Sequence, residues 1–156
     1  MEQIVSKTII EHKAAIEHFE QNMFDVVLKI ANTITESLKN SGTVYLCGNG
    51  GSAADCQHIA GEFIGRFHRE RSALPAVALS TDTSVITCIG NDYSFEDIFY
   101  RQVQALIKKG DILWAFSTSG NSANVIKAAK LAKEKGAEIV AFSGKSESPL
   151  NQISDC

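Results

Sequence analysis

Short continuous apolar runs alternate along this chain with segments in which apolar residues return every three or four positions. The runs are Val44–Cys47 (VYLC), Pro75–Thr81 (PAVALST), Ile112–Phe116 (ILWAF) and Glu138–Phe142 (EIVAF). Each has the length and content of a strand buried on both faces, and Pro75 is tolerated at the start of one. Residues from about Ile4 to Glu20 read as a helix. Its apolar positions are interspersed with Lys7, His12, Lys13 and His18, which suits packing on another subunit. Phe24, Val27, Leu28, Ala31, Ile34 and Leu38 form an amphipathic stripe, with Asn22 and Asp25 marking its start and Gly42 its stop. Asp82, Thr83 and Ser84 cap a short helix through Cys88, and Gly90-Asn91-Asp92 reads as a turn. Ser94 with Asp97 opens a helix whose apolar face is Phe95, Ile98, Phe99, Val103, Leu106 and Ile107, closed by Gly110 after Lys108 and Lys109. Val125, Ile126, Ala129 and Ala132 mark another helix, ended by Gly136. After the turn at Pro149 no closing helix is expected.

Strands that alternate with helices predict a parallel sheet with right-handed crossovers and helices on both faces, a three-layer α/β sandwich. Nothing in the sequence reads as a linker. The expected organisation is N-terminal helices over residues 1–42, serving oligomer contacts, and one α/β domain over residues 43–156.

Two strand–loop–helix junctions carry the candidate chemistry. Gly48–Ala54 is GNGGSAA and Ser117–Ala123 is STSGNSA. Both put glycine, asparagine and serine at the C-terminal end of a strand, where open α/β sheets bind ligands. In the first, Ser52 with Asp55 matches a helix-capping signature, and His58 and Glu62 fall at i and i+4 on one helix face. Glu62 is the candidate general base. His58 with Glu62 offers two metal ligands, where a zinc site takes at least three from protein. In the second, Ser117, Thr118, Ser119 and Ser122 set four hydroxyls beside the free N–H groups of a helix start, which is chemistry for a phosphate. Gly48, Gly50 and Ala53 also satisfy a dinucleotide fingerprint. However, Asp82 comes too late to be its ribose-binding acid, and that reading leaves the serine loop unused.

Composition narrows the class. The chain has 156 residues, 44% of them hydrophobic, enough for one core. A net charge of −3 gives no bulk electrostatic case for nucleic acid. Arg66–Ser72 (RFHRERS) is a basic loop, read as a solvated turn or as an arginine reaching a neighbouring subunit or an anion. The four cysteines form no C-x-x-C pair, and Cys47 and Cys88 read as small buried hydrophobes. With no signal-peptide pattern and no apolar run of membrane-spanning length, a cytoplasmic location without membrane contact is the expectation.

Cys47–Arg66, Leu74–Phe99 and Gly110–Ala128 together resemble the sugar isomerase (SIS) domain family and, within it, the bacterial phosphoheptose isomerases. The resemblance implies an SIS α/β sandwich, a homotetramer built partly by the N-terminal helices, and a sugar-phosphate substrate. It implies isomerisation of sedoheptulose 7-phosphate to D-glycero-D-manno-heptose 7-phosphate through an enediolate, for the heptose of lipopolysaccharide or capsule. By the same resemblance Ser117, Thr118, Ser119 and Ser122 match the phosphate loop, joined by Ser52. Asn49, Gly50 and Gly51 match the first substrate loop, and Asn91 and Asp92 match the pair that holds sugar hydroxyls. Glu62 matches the catalytic glutamate, and His58 with Glu62 matches two zinc ligands, the remaining ones expected beyond residue 156. A glutamate bound to metal is a weaker base, so its two roles compete. The alternative within the family is a non-catalytic SIS module that binds a sugar phosphate or a replication-initiator protein; the presence of Glu62 favours the enzyme.

Overall fold

The four apolar runs form one parallel sheet. Strands β1 (Val44–Cys47), β2 (Ala76–Ala78), β3 (Ile112–Ser117) and β4 (Glu138–Ser143) lie in the order β2-β1-β3-β4. In register, Val44 faces Ala76 on one side and Ile112 on the other, and Ile112 faces Glu138. Val44, Leu46, Cys47, Ile112, Leu113 and Ala115 are fully buried, as central parallel strands covered on both faces must be. At the edge, β2 is shorter than the PAVALST run. Thr81 turns back on the Ala78 carbonyl through its hydroxyl (2.9 Å) and its N–H (3.3 Å), which ends the pairing.

The computed structural model describes residues 1–156 and resolves them into two compact units, Met1–Asn32 and Thr33–Cys156. The first holds α1 (Glu2–Asn22) and the opening turns of α2 (Phe24–Lys39). Every residue in it except Ile30 is exposed, including the apolar Ile4, Val5, Ile9, Ile10, Ile16 and Phe19 of α1. Asn22 does not open α2. It is the last residue of α1, and its amide donates back to the His18 carbonyl (3.0 Å). Of the stripe expected on α2, Ile34 is buried, whereas Phe24, Val27 and Leu28 are exposed.

In the second unit the chain leaves α2 through Ser41 and Gly42, and the Gly42 N–H bonds the Ser37 carbonyl (2.8 Å). Buried Asp111 then sets the entry to the sheet. Its two carboxylate oxygens accept the N–H groups of Thr43 and Lys108, each at 2.9 Å. From β1 the chain crosses to β2 through α3 (Gly51–Ile64), and from β3 it crosses to β4 on the opposite side through α6 (Ala123–Glu134). The direction of winding therefore reverses between β1 and β3, and right-handed crossovers put α3 and α6 on opposite faces. On the α6 face, Tyr45, Cys47, Leu113, Ala115 and Ile139 pack with residues of α4 (Thr83–Asp92), α5 (Tyr100–Leu106), α6 and α7 (Pro149–Ile153).

Three local expectations change. Gly90-Asn91-Asp92 is the last turn of α4, because the Asp82 carboxylate caps that helix at the Val85 N–H (3.0 Å) and it runs on past Cys88. The helix expected from Ser94 to Gly110 is a 3₁₀ turn (Phe95–Asp97) followed by α5, which stops at Leu106. Ile98, Phe99, Val103 and Ile107 are buried as expected, but Phe95 and Leu106 are exposed. The segment after β4 closes as α7, capped by Ser148, whose hydroxyl accepts the Asn151 N–H (3.2 Å).

Candidate functional site

Both glycine- and serine-bearing loops leave the sheet beside the point where its winding reverses, the crevice in which open α/β sheets take ligands. After β1 the chain turns through Gly48, Asn49 and Gly50. Gly50 has φ +55°, a conformation that a side chain would strain, and α3 begins at the next residue. The cap expected from Ser52 and Asp55 is not made. With the helix already running at Gly51, Ser52 lies inside it, and no side chain caps the first turn. The Ser52 hydroxyl is thus not spent on its own helix.

After β3 the second loop is pinned from three sides. Buried Ser117 shares a hydrogen bond with Ser122, Oγ to Oγ at 2.9 Å. Ser119 Oγ accepts the Asn121 N–H (3.2 Å), and the Asn121 amide donates to the Ser119 carbonyl (3.0 Å). Gly120 (φ +66°) presses against Ser148 so closely that a Cβ would collide with that side chain, and its carbonyl accepts the Leu150 N–H (3.2 Å). Helix α7, absent from the sequence expectation, thereby braces the loop. Ser122 stands at the cap position of α6 but makes no side-chain cap bond. By helix geometry the N–H groups of Ala123, Asn124 and Val125 lack backbone partners; that of Val125 bonds the Asn124 side chain (2.9 Å), which leaves those of Ala123 and Asn124 for the loop's mouth. Thr118 and Ser119 are exposed beside them. The arrangement is chemically suited to an anion.

One residue that the sequence reading passed over joins the two loops. Asn124, buried in the first turn of α6, forms a reciprocal amide pair with Asn49. Asn49 Nδ2 donates to Asn124 Oδ1 (2.9 Å), and Asn124 Nδ2 donates to Asn49 Oδ1 (2.8 Å). The signal was present in the sequence: an asparagine, a poor helix former, on the buried side of a helix start needs a polar partner there.

Glu62 and His58 share a face of α3, with His58 Nε2 3.8 Å from Glu62 Oε1. Glu62 is partly exposed and His58 largely so. They do not lie over the first loop. Eleven residues separate Gly51 from Glu62, which at the helical rise of ~1.5 Å per residue is about 16 Å along the axis. Glu62 therefore sits at the far end of α3 from the loop that opens it. Arg71 anchors that end, donating to the carbonyls of Glu62 (2.6 Å), Phe63 (2.8 Å) and Ser72 (2.9 Å). This cation at a helix C-terminus is one concrete use of the basic loop.

Asn91 and Asp92 are exposed on the last turn of α4, with Asn91 Nδ2 donating to Asp92 Oδ1 (2.8 Å). Cys88, expected to be buried, is exposed one turn earlier. Its thiol lies 3.5 Å from Asp92 Oδ2, and that carboxylate raises its pKa. Burial pushes the Cys47 thiol up, and burial together with Asp55 pushes Cys56 up to about 12, so both are inert at neutral pH. Near the start of α6, Lys127 Nζ donates to Asp97 Oδ1 at 2.6 Å. That bond, with a second from Ser94, holds the Asp97 carboxyl below the usual carboxylate range and raises Lys127. Nowhere does the chain gather three side chains able to hold a metal ion. His58 and Glu62 remain a two-donor set, short of a closed zinc site.

A family model described as the SIS domain matches residues 9–144. The phosphoheptose isomerase of Aliarcobacter butzleri is 44% identical over 155 residues, 99% of this chain and 82% of that protein. That of Aquifex aeolicus is 51% identical over 140 residues, 90% of this chain and 71% of that protein. Among solved structures, the phosphoheptose isomerase of Neisseria gonorrhoeae superposes with a TM-score of 0.91 at 40% identity, covering 99% of this chain and 80% of that one. With the fold, the paired loops and these matches in agreement, this chain belongs to the SIS domain family and, within it, to the phosphoheptose isomerases, and it is a sugar-phosphate isomerase.

Proposed function

We propose that the enzyme interconverts sedoheptulose 7-phosphate and D-glycero-D-manno-heptose 7-phosphate, supplying heptose for lipopolysaccharide or capsule. The observation that carries this reading is the hydroxyl-lined loop Ser117–Ser122 at the start of α6, set at the reversal point of the sheet opposite the Asn49–Gly51 loop. Ser117, Thr118, Ser119 and Ser122, with Ser52, take the phosphate; Asn49, Gly50 and Gly51 hold the chain of the sugar; Asn91 and Asp92 hold its hydroxyls. Gripping the phosphate supplies binding energy remote from the reacting carbons, and that energy positions them.

In the reaction a base removes the proton from the carbon beside the carbonyl. The enediolate then takes it back on the neighbouring carbon while an acid serves the oxygens. Glu62 is the base in this reading. Its place about 16 Å from its own first loop along α3 means that it serves substrate held by another copy of the chain. That agrees with assembly as a homotetramer, for which the exposed apolar side chains of α1 supply contact surface. Where zinc is bound, His58 and Glu62 give two of its ligands, and the metal would supply a Lewis acid for the enediolate oxygens. No helix is long and apolar enough to cross a membrane, and a phosphorylated sugar substrate puts the enzyme in the cytoplasm on this reading.

The test is direct conversion. Purified protein given sedoheptulose 7-phosphate should form the aldose heptose phosphate, and turn over five- and six-carbon ketose phosphates far more slowly. Equal turnover of the shorter sugars would remove the heptose assignment. No turnover of any sugar phosphate would leave the sugar-phosphate-binding module as the better reading.

A further inference from the structure

The reciprocal Asn49–Asn124 amide pair has the geometry of a strap. It links residues 75 apart in sequence, one on each side of the crevice, and it is the one side-chain hydrogen-bond connection between Gly48–Ser52 and Ser117–Asn124. We propose that Asn124 is a positioning residue for the isomerase reaction: by pairing with Asn49 it fixes the spacing between the sugar-holding loop and the phosphate-holding loop, so that one substrate is gripped at both ends. The proposal rests on the sugar-phosphate reading given above.

The chemistry of the pair supports this role. Two parallel N–H···O bonds between planar amides fix their mutual orientation as well as their distance. Asn124 is only 3% exposed. Its Oδ1 also accepts the N–H of Val125 (2.9 Å), so both of that oxygen's lone pairs are used. Were the first loop to move away, the Asn124 amide would lose both of its bonds to Asn49, a cost that favours keeping the two loops together. Asn49 is half-buried and retains one N–H and one lone pair beyond the pair. Its backbone, followed by Gly50 and Gly51, is what meets the sugar in the proposed site. The phosphate loop has its own internal bonds, Ser117 to Ser122 and Ser119 to Asn121. It should therefore keep its shape when the strap is cut. That independence separates a positioning role from a merely structural one.

The experiment compares Asn124→Ala and Asn124→Asp with the parent protein, using sedoheptulose 7-phosphate as substrate and inorganic phosphate as a competing probe of the serine loop alone. Asn124→Ala should raise KM for the sugar phosphate by ~10-fold, the scale of one lost hydrogen-bonded link. Inhibition by inorganic phosphate should stay within about twofold of the parent, because the serine loop is intact. Asn124→Asp keeps the shape but sets a second acceptor against Asn49 Oδ1, so its KM should rise at least as much. In the free protein, backbone amides of Asn49–Ala53 should exchange with deuterated water ~10-fold faster in Asn124→Ala. Parental KM in both variants, equal loss of inorganic-phosphate inhibition, or unchanged exchange at Asn49–Ala53 would each overturn the proposal. A parent protein inactive on sugar phosphates would instead overturn the functional reading, while the exchange measurement still decides whether the strap exists.

Discussion

The junction after β1 and the junction after β3, GNGGSAA and STSGNSA, both draw on glycine, asparagine, serine and alanine, yet their helices behave differently. Helix α6 is sunk into the core: Asn124, Val125, Ala128, Ala129 and Ala132 are all buried, and α5, α7 and the 3₁₀ turn lie against it. Helix α3 buries only Cys56 and Ala60 and leaves His58 largely exposed. A covered helix start with pinned hydroxyls is suited to gripping an anion, because the donors are ordered before a ligand arrives. An open helix that carries a carboxylate away from its own loop can deliver that carboxylate to a neighbouring chain. On the proposed function the two junctions divide gripping from reaction chemistry, and each part of the division can be broken separately.

The largest effect is expected at the reacting end. Glu62→Gln keeps the size and polarity of the side chain but not the base, and kcat should fall by ~10²–10⁴-fold with KM nearly unchanged. Steady-state kinetics on sedoheptulose 7-phosphate reads this. At the gripping end, Ser119→Ala with Ser122→Ala removes two donors to a charged ligand, and KM should rise by ~10–100-fold with the fold retained by circular dichroism. Mixing the two impaired proteins, assayed at substrate near the parental KM or below, sharpens the comparison. If Glu62 serves another copy's loop, reassembled hybrids should recover up to about a quarter of parental activity, the share of sites that pair an intact loop with an intact glutamate. Mixtures no more active than the average of their components would mean that loop and glutamate must lie in one chain.

A smaller effect is expected at Asp97 and Lys127, which tie the turn before α5 to α6. Asp97 is lowered, so its contribution to stability is present above pH ~3.9 and fades as pH falls through its folded value. Lys127 is raised, so its contribution is present below pH ~10.4 and fades as pH rises through its folded value. The Tm of Lys127→Met should therefore fall modestly below the parent's between those limits, and the two should converge outside them. The Lys127 side chain is exposed to solvent and that of Asp97 partly so, and screening keeps the contribution of such a pair modest.

Much of the sheet could be read from sequence because burial on both faces leaves continuous apolar runs, and all four strands stand where VYLC, PAVALST, ILWAF and EIVAF put them, within a few residues. Helix ends were harder, since they depend on which local bond wins. Ser52 looked like a cap and is not one, whereas Asp82 is, because only the second precedes its helix. Gly90-Asn91-Asp92 looked like a turn and is helical, because the Asp82 cap starts a helix long enough to absorb it. Cys88 looked buried because its neighbours Val85, Ile86 and Ile89 are apolar, but it lies on the outer face of α4. At the site, both loops were visible from their glycines and serines. Their connection was not, because the Asn49–Asn124 pair spans 75 residues and no local pattern encodes a partner at that range. The distance of Glu62 from its loop followed from counting residues along one helix, once the start of that helix was known.

The central claim is that Glu62 removes the carbon-bound proton, and isotope exchange tests it most directly. Substrate incubated with the parent enzyme in deuterated water should gain deuterium at the carbon beside the carbonyl, read by proton NMR, since an enediolate that reprotonates carries solvent hydrogen back. Glu62→Gln should bind sedoheptulose 7-phosphate nearly as well as the parent and show exchange reduced in step with kcat. Exchange at the parental rate in a Glu62→Gln protein that has lost turnover would contradict the claim, because the proton would then be leaving to another base.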